Sequence, residues 1–276
     1  MNESMSDHAH NADGVCRNCG HRLTGAYCAS CGQAEHDGHP PTIGHFVHDL
    51  LHEFLHVDGT IFRTLKALFF QPGELTQQYW AGHVVSWLRP IRIFLTIVAL
   101  QLLASTGVGP LNLQISALRM PGGDIHFSVA NAGHQKPLPA GGVPLSKEQN
   151  REFSERFTHA YAGIRYFSVL LFACAVWALY RKRQPYFAAN LILSLHFYSF
   201  WYVLALIGGI AARWLPVLGD LSLLSWIYLL LALGRLFHER WYVRVAKTFA
   251  LYIFLMATEL VLGMAAGWWA SRLTAQ

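Results

Sequence analysis

Two groups of residues in this chain have the types and spacing for metal chemistry. The first is Cys16-Arg-Asn-Cys19-Gly20 and Cys28-Ala-Ser-Cys31-Gly32, two CxxC knuckles, each followed by glycine, with eight residues between Cys19 and Cys28. Thiolates at i and i+3 can grip one ion from one side of a tight turn, and the glycine lets backbone N–H groups approach sulfur without a Cβ clash. Two such knuckles make a closed S4 site suited to Zn2+. A closed site leaves no open position for water, so it serves folding and not catalysis. The other readings of four cysteines are a disulfide pair, which a reducing cytoplasm disfavours, and a rubredoxin-like iron centre. A ribbon this short buries little without its metal, so zinc should fold it. Residues 14–33 carry Arg17, His21 and Arg22 and no acid, which is too sparse for a phosphate-tracking surface. Nucleic acid is not implied; a cytoplasmic protein, or this chain's own membrane domain, is the better partner.

The second group is the stretch HFVHDLLHEFLH, residues 45–56, in which His52-Glu53-Phe-Leu-His56 matches the HExxH signature of zinc metallopeptidases. Thr42 can cap a helix here, on which His45, His48, His52 and His56 fall within an arc of about 80° while Phe46, Val47, Leu50, Leu51, Phe54 and Leu55 take the opposite side. On the catalytic reading, His52 and His56 share an ion, with His48 beside them, and Glu53 is the general base. On the alternative reading, the helix lies on the bilayer or on the membrane domain with the histidines as its solvated stripe. Asp49 and Asp58 stand where zincins usually carry other residues, Gly59 ends the helix at once, and no third-ligand motif follows. Glu74 sits in a PGELT turn. These features favour the solvated stripe, leaving a peptidase or a second metal site as alternatives.

The elements that must hold these groups belong to two solvents. Of the 276 residues, 53% are hydrophobic and only 13% charged, and mean hydropathy is +0.29, which points to a membrane. Runs near 20 apolar residues fall at about 91–109, 164–180, 190–212, 217–237 and 248–270. Residues 110–163, rich in Gly and Pro and ending in the polar, helical SKEQNREFSERF, read as an extramembrane loop. The chain opens without an apolar leader, and Arg181-Lys182-Arg183 together with Arg235, Arg240, Arg244 and Lys247 belong inside. Five spans then put the N-terminus in the cytoplasm. The sequence pI near 9.0 reflects this bias and an attraction to anionic lipid heads.

Within the spans, Glu259 is the foremost polar candidate, because an unpaired charge there costs at least ~2.5 kcal/mol and so calls for a partner, water or a proton. His196 could be that partner, although it lies a turn or more nearer the cytoplasm. Gly263 and Gly267 follow Glu259 on the same face and allow close packing against another helix. Cys174 reads as a small packed apolar residue. Thr60 to Phe70 reads as an amphipathic helix stopped by Pro72-Gly73, and Trp80 and Trp87 suit the membrane interface.

The stretches CRNCGHRLTGAYCASCGQ, LLHEFLHVDGTIFRTLKALFFQPGELTQQYWAG and LRPIRIFL resemble bacterial membrane proteins grouped as domain of unknown function 3667. The resemblance covers residues 14–105 and rests on the cysteines and on Asp58, Arg63-Thr64, Pro72-Gly73, Tyr79, Gly82 and Pro90. The basic residue that the family carries soon after Gly82 is replaced here by His83-Val84-Val85. The resemblance implies the same architecture, a place in a bacterial inner membrane, and no activity.

The expected fold is an all-α helical integral membrane protein of about five transmembrane helices with a small N-terminal zinc ribbon. Its parts are a tail 1–13, the ribbon 14–33, a linker 34–41, amphipathic interfacial helices 42–90 and a transmembrane domain 91–272. A closed metal site beside a helical bundle, without a convincing catalytic set, favours a scaffold, sensor or regulator over an enzyme. The alternatives are the metallopeptidase and a transporter centred on Glu259. A homo-oligomer is compatible with the sequence, which names neither substrate nor partner.

Overall fold

The computed structural model describes residues 15–25, 27–33, 60–105, 113–120, 125–131, 141–211, 214 and 221–273. Among these, helices α1 (Thr60–Phe70), α2 (Glu74–Trp80) and α3 (Pro90–Ser105) precede strands β1 (Leu113–Arg119), β2 (Ile125–Asn131) and β3 (Val143–Pro144). Helices α4 (Lys147–Arg165), α5 (Ser168–Tyr180), α6 (Phe187–Ala211), α7 (Ser222–Phe237) and α8 (Trp241–Leu273) follow. Three helical stretches are long and apolar enough to cross a membrane: Lys147–Tyr180, Phe187–Ala211 and Trp241–Arg272. The other two apolar runs form shorter helices; α3, at about 24 Å, falls short of a hydrocarbon core of about 30 Å.

Helix α6 is central, with 61% of its most apolar window buried inside the protein, and α8 is peripheral, with 17%. Helices α3, α5, α7, α1 and α2 all contact α6. The main core is aromatic and aliphatic: Phe172 stacks on Phe197 at 5.1 Å, Phe200 on Tyr228 at 4.0 Å, and Tyr180 on Phe237 at 3.8 Å. On α8 the exposed face carries Phe249, Ile253, Leu260, Val261 and Met264, with Trp241 and Tyr242 at one end and Trp268 and Trp269 at the other. Those ends stand about 40 Å apart along the helix, the spacing of two aromatic belts across a bilayer.

The segment 110–163, expected as a loop, contains folded elements. Strand β1 pairs antiparallel with both β2 and β3, in the order β2-β1-β3. Helix α4 starts with a capping box, in which Ser146 Oγ accepts from the Gln149 backbone N–H and Gln149 Oε1 accepts from that of Ser146. Its Phe153 and Phe157 form a second core with Ala117, Ala266 and Ala270, joined by Phe127. Apolar residues at four-residue steps in a polar sequence thus give α4 one buried stripe.

Helices α1 and α2, expected at the bilayer interface, pack against the bundle through one face, while Phe62 and Phe70 of α1 stay exposed. Phe69 packs on Phe200 at 5.7 Å, Trp80 Nε1–H donates to the Ala189 carbonyl at 3.0 Å, and Leu68, Leu75 and Thr76 are buried. Between the two helices Gly73 adopts φ 82°, and a Cβ there would lie 3.0 Å from the Ala232 Cα and carbonyl oxygen of α7. Only glycine fits that turn and that approach. Glu74, read as part of a turn, begins α2, where it pairs with Arg235 at 3.2 Å and accepts from Gln78 Nε2–H at 2.7 Å.

Candidate metal centre

The two knuckles are near copies. The Cys16 N–H donates to the His21 carbonyl and the Gly20 N–H to the Cys16 carbonyl, both at 2.8 Å; Cys28 with Gln33 and Gly32 with Cys28 repeat the pattern at 2.8 Å. Gly20 and Gly32 sit at φ 73° and 72°, left-handed turns that fold each loop back beneath its sulfurs. An isolated bridge from Val15 to Arg22 closes the first knuckle.

All four Sγ atoms lie within 4.8 Å of one another, with Cys16–Cys31 at 3.6 Å and Cys19–Cys28 at 3.5 Å. A disulfide would need about 2.05 Å, so the thiols are free, whereas four sulfurs around an ion at about 2.3 Å stand about 3.8 Å apart. The cluster therefore matches a closed four-thiolate metal site in donor type and in size. Its electrostatics are uneven. The Gln33 backbone N–H, the Asn18 side chain and the adjacent thiols hold the Cys31 thiol down at about 6. Cys28 is lowered mainly by the Cys31 and Ser30 backbone N–H groups. The His21 backbone N–H pulls Cys19 down, but burial and the three surrounding thiols outweigh it and push that group up to about 11. Sulfurs crowded around Cys19 oppose its ionisation until a cation arrives.

The knuckles dock onto the segment between α2 and α3. Gln33 Nε2–H donates to the Gly82 carbonyl at 3.1 Å, Ser86 Oγ–H donates to Asn18 Oδ1 at 3.3 Å, and a Cβ at Gly82 would sit 3.3 Å from the Arg17 side chain. Residues singled out by the resemblance fix that segment from the other side. Tyr79 Oη–H donates to the Leu88 carbonyl at 2.8 Å, Thr64 Oγ1 accepts from the Leu88 N–H at 3.2 Å, and Arg63 bonds the Ser86 carbonyl while its guanidinium lies 5.1 Å over the Trp87 ring. Pro90 then opens α3, a first-turn position that needs no N–H.

His48, His52, Glu53 and His56 lie outside the described residues, so the HEFLH stretch has no structural account. His196 is not the partner of Glu259. Its Nδ1 bonds Thr76 Oγ1 at 2.9 Å and its ring meets Tyr79 at 5.9 Å, tying α2 to α6. Glu259 pairs with Arg165 Nε at 3.5 Å and accepts from Tyr161 Oη–H at 2.7 Å. Sequence reasoning missed Arg165, which stands at the start of the apolar run 164–180, because 94 positions separate it from Glu259 and no periodicity encodes that pairing. The face of Gly263 and Gly267 does pack closely: Gly263 on Tyr161 of α4, and Gly267 under the Phe127 ring of β2, where a Cβ would overlap it. Cys174 is exposed on α5, on the apolar outer surface.

A family model described as "Protein of unknown function (DUF3667)" matches residues 58–102. The match spans α1, α2, the docking segment and most of α3, and leaves out the cysteines and the later helices. No curated protein and no solved structure matches the chain.

Proposed function

We propose that the protein is an inner-membrane regulator or scaffold in which a cytoplasmic Zn2+ centre, held by Cys16, Cys19, Cys28 and Cys31, sets the position of the segment leading into α3. One observation carries this reading. Asn18 borders the Cys31 thiol and accepts from Ser86, so the same side chain touches the metal cluster and the docking segment. The ion folds the knuckles, the knuckles brace residues 82–86, and those residues are anchored by Arg63, Thr64 and Tyr79 to the α1–α2 hairpin inside the bundle. Loss of zinc then frees the face of the bundle on which the knuckles rest. Zinc suits four thiolates in a closed set and has no redox chemistry of its own. The clusters at 181–183 and 235–247 support a cytoplasmic location for this face.

The test is hydrogen exchange on the purified full-length protein, with zinc bound and after chelation, beside a Cys16→Ser/Cys28→Ser variant. The expected result is lost protection at 82–89 in both metal-free forms while α6 stays protected. Unchanged protection at 82–89 after the metal is gone would end the regulatory reading.

A further inference from the structure

Around Arg165 and Glu259 the protein buries more hydrogen-bonding groups than it satisfies. Glu259 Oε1, Ser168 Oγ, Tyr198 Oη and Tyr202 Oη are buried without a hydrogen-bond partner among the described residues, and Arg165 Nε has only its 3.5 Å ion-pair approach to Glu259 Oε2, which is too long and bent for a hydrogen bond. They share one neighbourhood where α4, α5, α6 and α8 meet. The Arg165 guanidinium lies 4.6 Å over the Tyr202 ring and 5.6 Å over that of Tyr161; Tyr198 and Tyr202 pack at 5.6 Å; Ser168 borders both phenols. Ser168, Tyr198 and Tyr202 are 0% exposed. A polar group buried without a partner is costly if left dry, and five in one neighbourhood call for partners that the surrounding side chains do not supply.

We propose that these five groups enclose an internal hydration site, in which bridging waters donate to Glu259 Oε1 and accept from Arg165 Nε while bonding the three hydroxyls. The chemistry selects water over an ion. Arg165 and Glu259 cancel, so the site has no net charge; an anion meets the carboxylate and a cation meets the guanidinium. One orphan needs a donor and another an acceptor, and the hydroxyls can be either, which a small neutral molecule with both functions satisfies. The Arg165 side chain is 21% and that of Glu259 12% exposed, giving water a way in from the outside of the bundle. The neighbouring cavity lined by Phe94, Tyr166, Phe167 and Leu195 is almost entirely apolar, so the polar site is local to the ion pair.

Radiolytic hydroxyl-radical footprinting tests this on the full-length protein in lipid nanodiscs, because radicals born from bound water label the side chains beside it. Tyr198 and Tyr202 are expected to be labelled at a rate comparable with the exposed Tyr186, whereas Tyr228, also buried but packed on Phe200 away from the site, stays unlabelled. Labelling of Tyr198 and Tyr202 no higher than that of Tyr228 would overturn the proposal. A Ser168→Val variant, which puts a methyl where the hydroxyl meets the water, should lower labelling of both tyrosines severalfold and leave Tyr186 unchanged. Labelling of the pair that persists in this variant would also count against an enclosed site.

Discussion

A thiol that keeps its proton to about pH 11 cannot ligate an ion without giving that proton up. Cys19 is such a thiol, while Cys31, held at about 6, is already a thiolate at neutral pH. Between those values zinc binding must displace at least the Cys19 proton, and mass action then makes affinity rise with pH by about tenfold per unit for each proton released. The expected outcome is a zinc affinity that climbs through pH 6.5–9 with a release of at least one proton per ion, read by competition with a chromophoric chelator and by calorimetry in buffers of different ionisation enthalpy; a flat profile would mean that Cys19 does not ligate. The cluster was legible in the sequence because each half is local, two thiols and a glycine within five residues. Its docking was not, because Gln33 reaches Gly82 across 49 positions and Ser86 reaches Asn18 across 68, and no periodicity encodes contacts so distant.

The α1–α2 hairpin shows how the kind of an element can be legible in the sequence while its packing partner is not. Amphipathicity and the Pro72-Gly73 stop identify Thr60–Phe70 as a helix, but the same apolar stripe would suit a bilayer surface or a groove in a protein, and only the partner decides. Here the partner is the cleft between α6 and α7, and Gly73 is the residue that lets the turn enter it. Gly73→Ala should cost about 1–3 kcal/mol, through the left-handed φ and the close Ala232 backbone. Gly163→Ala in α4, with open space around it, should be neutral or stabilising by up to about 1 kcal/mol. Thermal unfolding midpoints of the two variants in one detergent check the contrast, and equal midpoints would show that the hairpin tip is not wedged. The β1–β3 sheet was hidden for a different reason. Its strands are short and separated by Gly- and Pro-rich stretches, so the flanks outweighed the alternation within them.

At the scale of the molecule, two cores stand on one set of helices. The first surrounds α6; the second, built from Phe153, Phe157 and Phe127 against Ala266 and Ala270, fastens the sheet and α4 to the far half of α8. The Arg165–Glu259 pair lies between them, at the end of α4 and in the middle of α8, where the chain breaks at Tyr166-Phe167 before α5 begins. An ion pair in that position resists separate removal of its members, because each loss strands the other charge, without its counter-charge, inside the bundle. Arg165→Met and Glu259→Leu should therefore each destabilise by about 3–5 kcal/mol, and the double variant should recover much of the loss, since two apolar side chains of similar bulk leave no charge behind. Unfolding midpoints of wild type, both single variants and the double variant form a complete cycle. A double variant no better than the worse single would mean that each residue acts through its own contacts, Arg165 through the Tyr161, Trp201 and Tyr202 rings and Glu259 through the Tyr161 hydroxyl, with little coupling between them. Recovery in the double variant would mean that the two charges are coupled and that their loss is costly only when one is left without the other.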